Sequence, residues 1–124
     1  MAWTDIAKWY DHTAGSHPEF QYLADIVASV LTLEGADRLV GLTSMNDLVV
    51  TASPIAEPPI EVVVVRAPTS GHVGPGGVQI EHRSPAGHDE WIVRPSGEAV
   101  ALFWRFMTEK FGVSPVRPQT DDTA

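Results

Sequence analysis

Residues 80–91, IEHRSPAGHDEW, bring two histidines, three acids, an arginine and a tryptophan around one turn. Histidine and carboxylate ligands in such proximity could hold a zinc or iron ion, and a histidine beside a carboxylate could act as a general base. Which chemistry is open depends on strand register, because a one-residue slip moves every side chain to the other face of a sheet.

Ser84-Pro85-Ala86-Gly87 matches a type I turn, with Pro at its second position and Gly at its fourth. Simple closure sets Arg83 opposite His88, His82 opposite Asp89, Glu81 opposite Glu90 and Ile80 opposite Trp91. His82 and His88 then point to opposite faces and share no metal. A bulge at Gly87 sets His82 opposite Glu90 and gathers His82, His88 and Glu90 on one face as a three-ligand cluster. That register separates Trp91 and Val93 from Val78 and Ile80, and each large apolar side chain left exposed forfeits about 1.5–3 kcal/mol. The simple register is therefore expected, with no metal and no cofactor. The chemistry left is a cross-strand His82–Asp89 pair, either a polar rim or a base and its orienting carboxylate.

Other motifs are weaker. The glycine-rich segment 69–77 joins two strands and carries no lysine, so it lacks the context of a phosphate loop and reads as a mobile connection or a lid. There is no G-x-S-x-G elbow for a serine nucleophile. His12, His17 and His72 are scattered, and the chain has no cysteine, which removes thiolate catalysis, cysteine-bound zinc and disulfides.

These residues need elements to position them. SHPEFQYLADIVASVLTLEG has Ser16 and Glu19 at capping-box spacing, an apolar stripe of Phe20, Leu23, Val27, Val30 and Leu31, and Gly35 as a stop. A shorter upstream helix from Thr4 would turn Trp3, Ile6, Trp9 and Tyr10 to one side. Near the other end, SGEAVALFWRFMTEKFG runs from Ser96 to a Gly112 stop. Its apolar residues Val100, Leu102, Phe103, Trp104, Phe106, Met107 and Phe111 exceed a single stripe. Between these lie β-branched runs bounded by turn formers: RLVGLTS, LVVTAS, IEVVVVRAP and the two arms of the hairpin.

The expected fold is a two-layer α+β sandwich, a five-stranded antiparallel sheet with an N-terminal and a C-terminal helix. One domain occupies 1–112, followed from Val113 by an extended or disordered tail, 113–124. Val62 and Val64 face one side of the sheet and Val63 and Val65 the other, yet two helices readily cover one side only. Ile92 joins the uncovered patch in the simple register. Either the segment bearing Trp3, Trp9 and Tyr10 crosses to it, or the second helix does, or a second subunit covers it as a symmetric homodimer, the favoured expectation.

The net charge of −8 argues against phosphate-backbone binding and suits a basic protein partner, besides keeping the chain soluble. No apolar run is long enough to span a bilayer and the N-terminus does not have a signal-peptide layout, so a cytoplasmic protein is expected. Two lysines against six arginines, with abundant Ala, Val and Pro, resemble the usage of a GC-rich bacterium. The leading functional expectation is a non-enzymatic protein-binding module, an inhibitor, immunity-type partner or secretion or assembly accessory, with Trp3, Trp9, Tyr10 and Ile92 at the interface. The alternative is a small-ligand binder or enzyme with a pocket walled by Trp91, Phe103 and Trp104, and His82 with Asp89 as its acting pair.

Overall fold

The computed structural model describes residues 1–32, 36–70, 73–74 and 76–115. Helix α1 (Trp3–Ser16) is followed by a 3-10 turn (Pro18–Phe20), helix α2 (Gln21–Thr32), and strands β1 (Leu39–Ser44), β2 (Asp47–Ala52), β3 (Val62–Val65), β4 (Gly77–Arg83) and β5 (Glu90–Pro95). Helix α3 (Ala99–Phe106) follows a 3-10 turn (Ser96–Glu98) and continues as a π turn (Met107–Phe111). The strands form one five-stranded sheet in the order β1-β2-β3-β4-β5, every neighbouring pair antiparallel. This is the expected α+β arrangement, with the upstream helix fully formed as a third member of the helical layer.

Ser16 ends α1 and does not cap α2. His17 precedes a proline and is extended, at φ −132° and ψ 86°, because a residue in that position is driven out of the helical region. The helical segment therefore breaks at His17 and restarts at Pro18. The C-terminal helix does stop at Gly112, in the left-handed conformation at φ 69°, with its N–H on the Thr108 carbonyl at 3.1 Å. Beyond it Val113 is buried in the core. Gly35, His72, parts of segment 69–77 and residues 116–124 of the tail lie outside the described residues.

All three helices lie on one face of the sheet. Trp3 donates its indole N–H to the Leu39 carbonyl at 2.9 Å and lies against Gly41, where a Cβ would meet the indole ring at 2.6 Å. Trp104 donates to Ser29 Oγ at 2.8 Å, tying α3 to α2. Tyr10 and Tyr22 donate to the Asn46 and Arg66 carbonyls at 2.9 and 2.5 Å, pinning α1 and α2 to the sheet's loops. The core is Ile6, Tyr10, Leu23, Ile26, Val27 and Val30 from the helices, Phe103 and Met107 from the C-terminal segment, and Leu48, Val50, Val63, Val65 and Ile80 from the strands. The N-terminal segment thus joins the covered side, and its Trp3 and Tyr10 are core residues, not an exposed interface.

The hairpin takes the bulged register. His82 lies opposite Glu90, Glu81 opposite Trp91 and Ile80 opposite Ile92, in place of the expected His82 to Asp89 and Ile80 to Trp91. Gly87 sits at φ 83° and donates to the Ser84 carbonyl at 3.0 Å. A type I turn needs such a left-handed residue to match the twist of the strands it joins, whereas simple type I closure splays them. Ile92 accordingly turns toward the helices and packs against the core, and Trp91 and Val93 turn away.

Candidate functional site

The alternation that buries Val63, Val65 and Ile80 under the helices places Val40, Leu42, Asp47, Val49, Val62, Val64, Gln79, Glu81, Arg83, Trp91 and Val93 on the opposite face. No described helix crosses this face. Trp91 is 65 % exposed, and Val93 and Leu42 are each 43 % exposed. A groove of about 550 Å³ runs beside Trp91, bordered by Gln79, Glu81, Arg83 and Asp89.

At its centre is a closed polar network. Arg66, continuing the alternation of Val62 and Val64, gives Nε to Glu81 Oε2 at 2.7 Å, Nη2 to Glu81 Oε1 at 3.1 Å and Nη1 to Asp47 Oδ2 at 2.9 Å. Asp47 Oδ1 accepts from the Ala67 N–H at 2.6 Å and from the Ser70 hydroxyl. Glu81 also accepts from Gln79 Nε2 at 2.7 Å and Arg83 Nη2 at 3.2 Å. All four carboxylate oxygens therefore have protein donors. Burial pushes the Glu81 carboxyl up, but hydrogen bonding and charge from Arg66, reinforced by Arg83, hold it below the usual carboxylate range. The Glu81 hydrogen bond, ahead of the opposing effect of burial, raises the Arg66 guanidinium.

The expected site residues are only partly brought together: His82, Asp89 and Trp91 border one groove, whereas Phe103 and Trp104 lie in the core. His82 lies on the helical side, 6 % exposed, and its Nε2 engages Glu61 instead of Asp89. Its Nδ1 is buried without a hydrogen-bond partner among the described residues. His82 borders the groove beside Trp91 together with Asp89, but with Nε2 taken by Glu61 and Nδ1 buried the His82–Asp89 hydrogen bond of the alternative reading is not formed. Asp89 instead accepts from the Ser84 N–H at 2.9 Å within the hairpin loop. Phe103 and Trp104 are core residues with their rings edge to face at 5.2 Å, on the other side of the sheet from Trp91, so the three do not wall a common pocket. Trp9 projects from α1 with 42 % of its surface exposed. His88 is exposed, and among the described residues no group of three or more His, Asp or Glu could hold a metal.

A second cavity, of about 480 Å³, opens at the end of the sheet between the start of α2 and residues 66–69, 73–74 and 76–77, against Tyr22, Arg66, Thr69, Gln79 and Ser96. The Arg66 donors beside it are engaged by Asp47 and Glu81, and Gln79 Nε2 by Glu81, so these groups hold the sheet and are not aimed into the cavity.

Arg66, Asp47 and Glu81 were not singled out by the sequence analysis. Their signal lies in parity: Arg66 falls in phase with Val62 and Val64, and Glu81 lies opposite Val64 in the β3–β4 pair. Asp47 required the position of the Met45–Asn46 turn, whose two residues have φ of 53° and 72°, as a two-residue type I′ hairpin demands. No helix among the described residues is long and apolar enough to cross a membrane. Comparisons with protein-family models, curated proteins and solved structures find no match to this chain.

Proposed function

We propose that this protein is a non-enzymatic module that docks on another protein through the uncovered face of its sheet, as an inhibitor, an immunity-type partner or an assembly accessory does. The observation that carries this reading is the exposure of Trp91. The bulged register leaves Trp91 65 % and Val93 43 % exposed, forgoing part of the ~1.5–3 kcal/mol that full burial of a large side chain contributes and that a docked surface would recover. Exposed Trp with Arg83 beside it is also the side-chain chemistry that anchors protein interfaces. A bacterial cytoplasmic setting belongs to the same proposal and accords with the cysteine-free chain.

The test is a native pull-down comparing the wild-type chain with Trp91→Glu and Leu42→Glu, with folding checked by circular dichroism. A defined partner retained by the wild type and lost from both variants is the expected result. Equal retention by all three overturns the assignment of the face.

A further inference from the structure

We infer that the occupant of this face is a second copy of the chain, an inference that rests on the docking reading and names the partner. The basis is how charge is distributed. The chain carries −8 overall, yet the ionised side chains on the uncovered face are Asp47, Glu81 and Asp89 against Arg66 and Arg83, three negative and two positive, a net charge of only −1. Most of the excess acid lies elsewhere, so two copies meet here with little repulsion. A basic partner would instead select an unneutralised acidic patch.

The hydrogen bonding agrees. Burying an ion pair is costly where it strips water from unsatisfied oxygens. Here each oxygen of Asp47 and Glu81 already has a donor from the same chain. The network can be covered without any complementary charge from the partner. What the face then offers beside its polar network is apolar and self-complementary: exposed Trp91 and Val93 on one edge strand, Leu42 and half-buried Val40 on the other, and half-buried Val49 and Val62 between. A two-fold axis running along β3 lays the Trp91 edge of each copy over the Leu42 edge of the other, in the manner of two sheets packed face to face. At about 20 Å by 20 Å, from strand spacing and rise, the face is small beside the ~800 Å² per partner of a standard stable interface, so the dimer is reversible at about 10–100 µM.

Sedimentation velocity from about 10 to about 500 µM protein, at about 0.05 and about 0.5 M NaCl, tests this. Two chains of like charge associate more tightly as salt screens them, so the dissociation constant falls on raising the salt. Trp91→Glu and Leu42→Glu weaken the dimer by about tenfold or more, as loss of an interface anchor does. Trp9→Glu, which makes the same charge change on exposed α1 surface, leaves it within about twofold. A monomer throughout overturns the second copy, and a dimer that weakens with salt overturns its seating on this nearly neutral face. If such a monomer still loses a different retained protein on Trp91→Glu, the docking face stands and only its occupant is wrong. A dimer indifferent to both face variants overturns the second copy at this surface, and the docking reading falls with it only if the pull-down also shows equal retention by wild type and both variants.

Discussion

Arg66 and Glu81, fifteen residues apart in the chain, meet in a two-pronged ion pair on the open face of the sheet, Nε to Oε2 at 2.7 Å and Nη2 to Oε1 at 3.1 Å. The same guanidinium reaches Asp47 at 2.9 Å, so one side chain ties β2 to β4 across β3. Replacing Arg66 with Ala leaves two carboxylates facing each other, one of them on the buried Asp47. The expected cost is about 2 kcal/mol. That is below the figure for a fully buried pair, because a quarter of the Arg66 side chain is exposed. Arg66→Lys restores the charge without the fork and recovers only part of the loss. Urea denaturation of the three proteins checks the order.

Acid acts on the same pair. The Glu81 carboxyl is held below its usual range in the folded chain, so the unfolded chain binds the proton more readily. The contribution is complete above the unfolded value of about 4.3 and is lost as pH falls through the lower folded value. Glu81→Gln removes the carboxylate, so its melting temperature is lower than the wild type at neutral pH and flatter in the acid range. Equal pH slopes below about pH 4.5 would exclude Glu81 as a source of acid sensitivity.

The elements were legible where local chemistry and burial agree. Val63 and Val65 alternate under the helices, Gly112 terminates the last helix, and the strand runs end at turn formers. The hairpin register was not legible, because the apolar pattern and the turn geometry disagree there. Trp91 and Val93 favour one pairing, and the left-handed Gly87 imposes the other. Side-chain burial predicts the wrong register if every aromatic residue is assigned to the core of the same chain. The Arg66 network was hidden for a different reason, since its three charged residues come from three separate segments.

Alkali tests the helical layer. Burial, followed by the charge of Asp47, raises the Tyr10 and Tyr22 phenols above the ordinary phenol value of about 10. Both stay neutral in the fold while the unfolded chain ionises. Their contribution is therefore complete below about pH 10 and is lost as pH rises toward the folded values. Tyr10→Phe forfeits its hydrogen bond to the Asn46 carbonyl, about 0.5–1.5 kcal/mol. The variant starts less stable at neutral pH and declines less steeply above about pH 10. Chemical denaturation across that range shows whether the two stability curves converge.

Gly41 and Trp3 are a matched pair. A Cβ at Gly41 would meet the Trp3 ring at 2.6 Å, and the indole is held in place by its bond to the Leu39 carbonyl. Gly41→Ala is expected to destabilise by about 1–3 kcal/mol through overpacking. Trp3→Phe also destabilises alone, losing area and the hydrogen bond. Because the smaller ring makes room, the double variant costs less than the sum of the two, a coupling that a double-mutant cycle measures. Strict additivity would show that α1 shifts as a body instead.

Gly87 links the turn to the docking face. Nothing lies within 4 Å of where its Cβ would be, so replacement by Ala meets no steric obstacle and acts only through φ 83°. A left-handed conformation costs an L-residue about 1–2 kcal/mol. Gly87→Asn, which tolerates that region, should cost less than Gly87→Ala. Gly15 provides the contrast: it is helical with open space at its Cβ, so Gly15→Ala stabilises by about 0.5–1 kcal/mol. If Gly87→Ala instead drives the hairpin to simple closure, His82 comes opposite Asp89 and Trp91 turns to the helical side. NMR cross-strand contacts distinguish this from plain destabilisation: proximity of Ile80 to Ile92 means the bulged register persists, and proximity of Ile80 to Trp91 means it has slipped. The expectation is persistence, because Val78, Ile80 and Ile92 already pack under α3 and the core has no space assigned to a further indole.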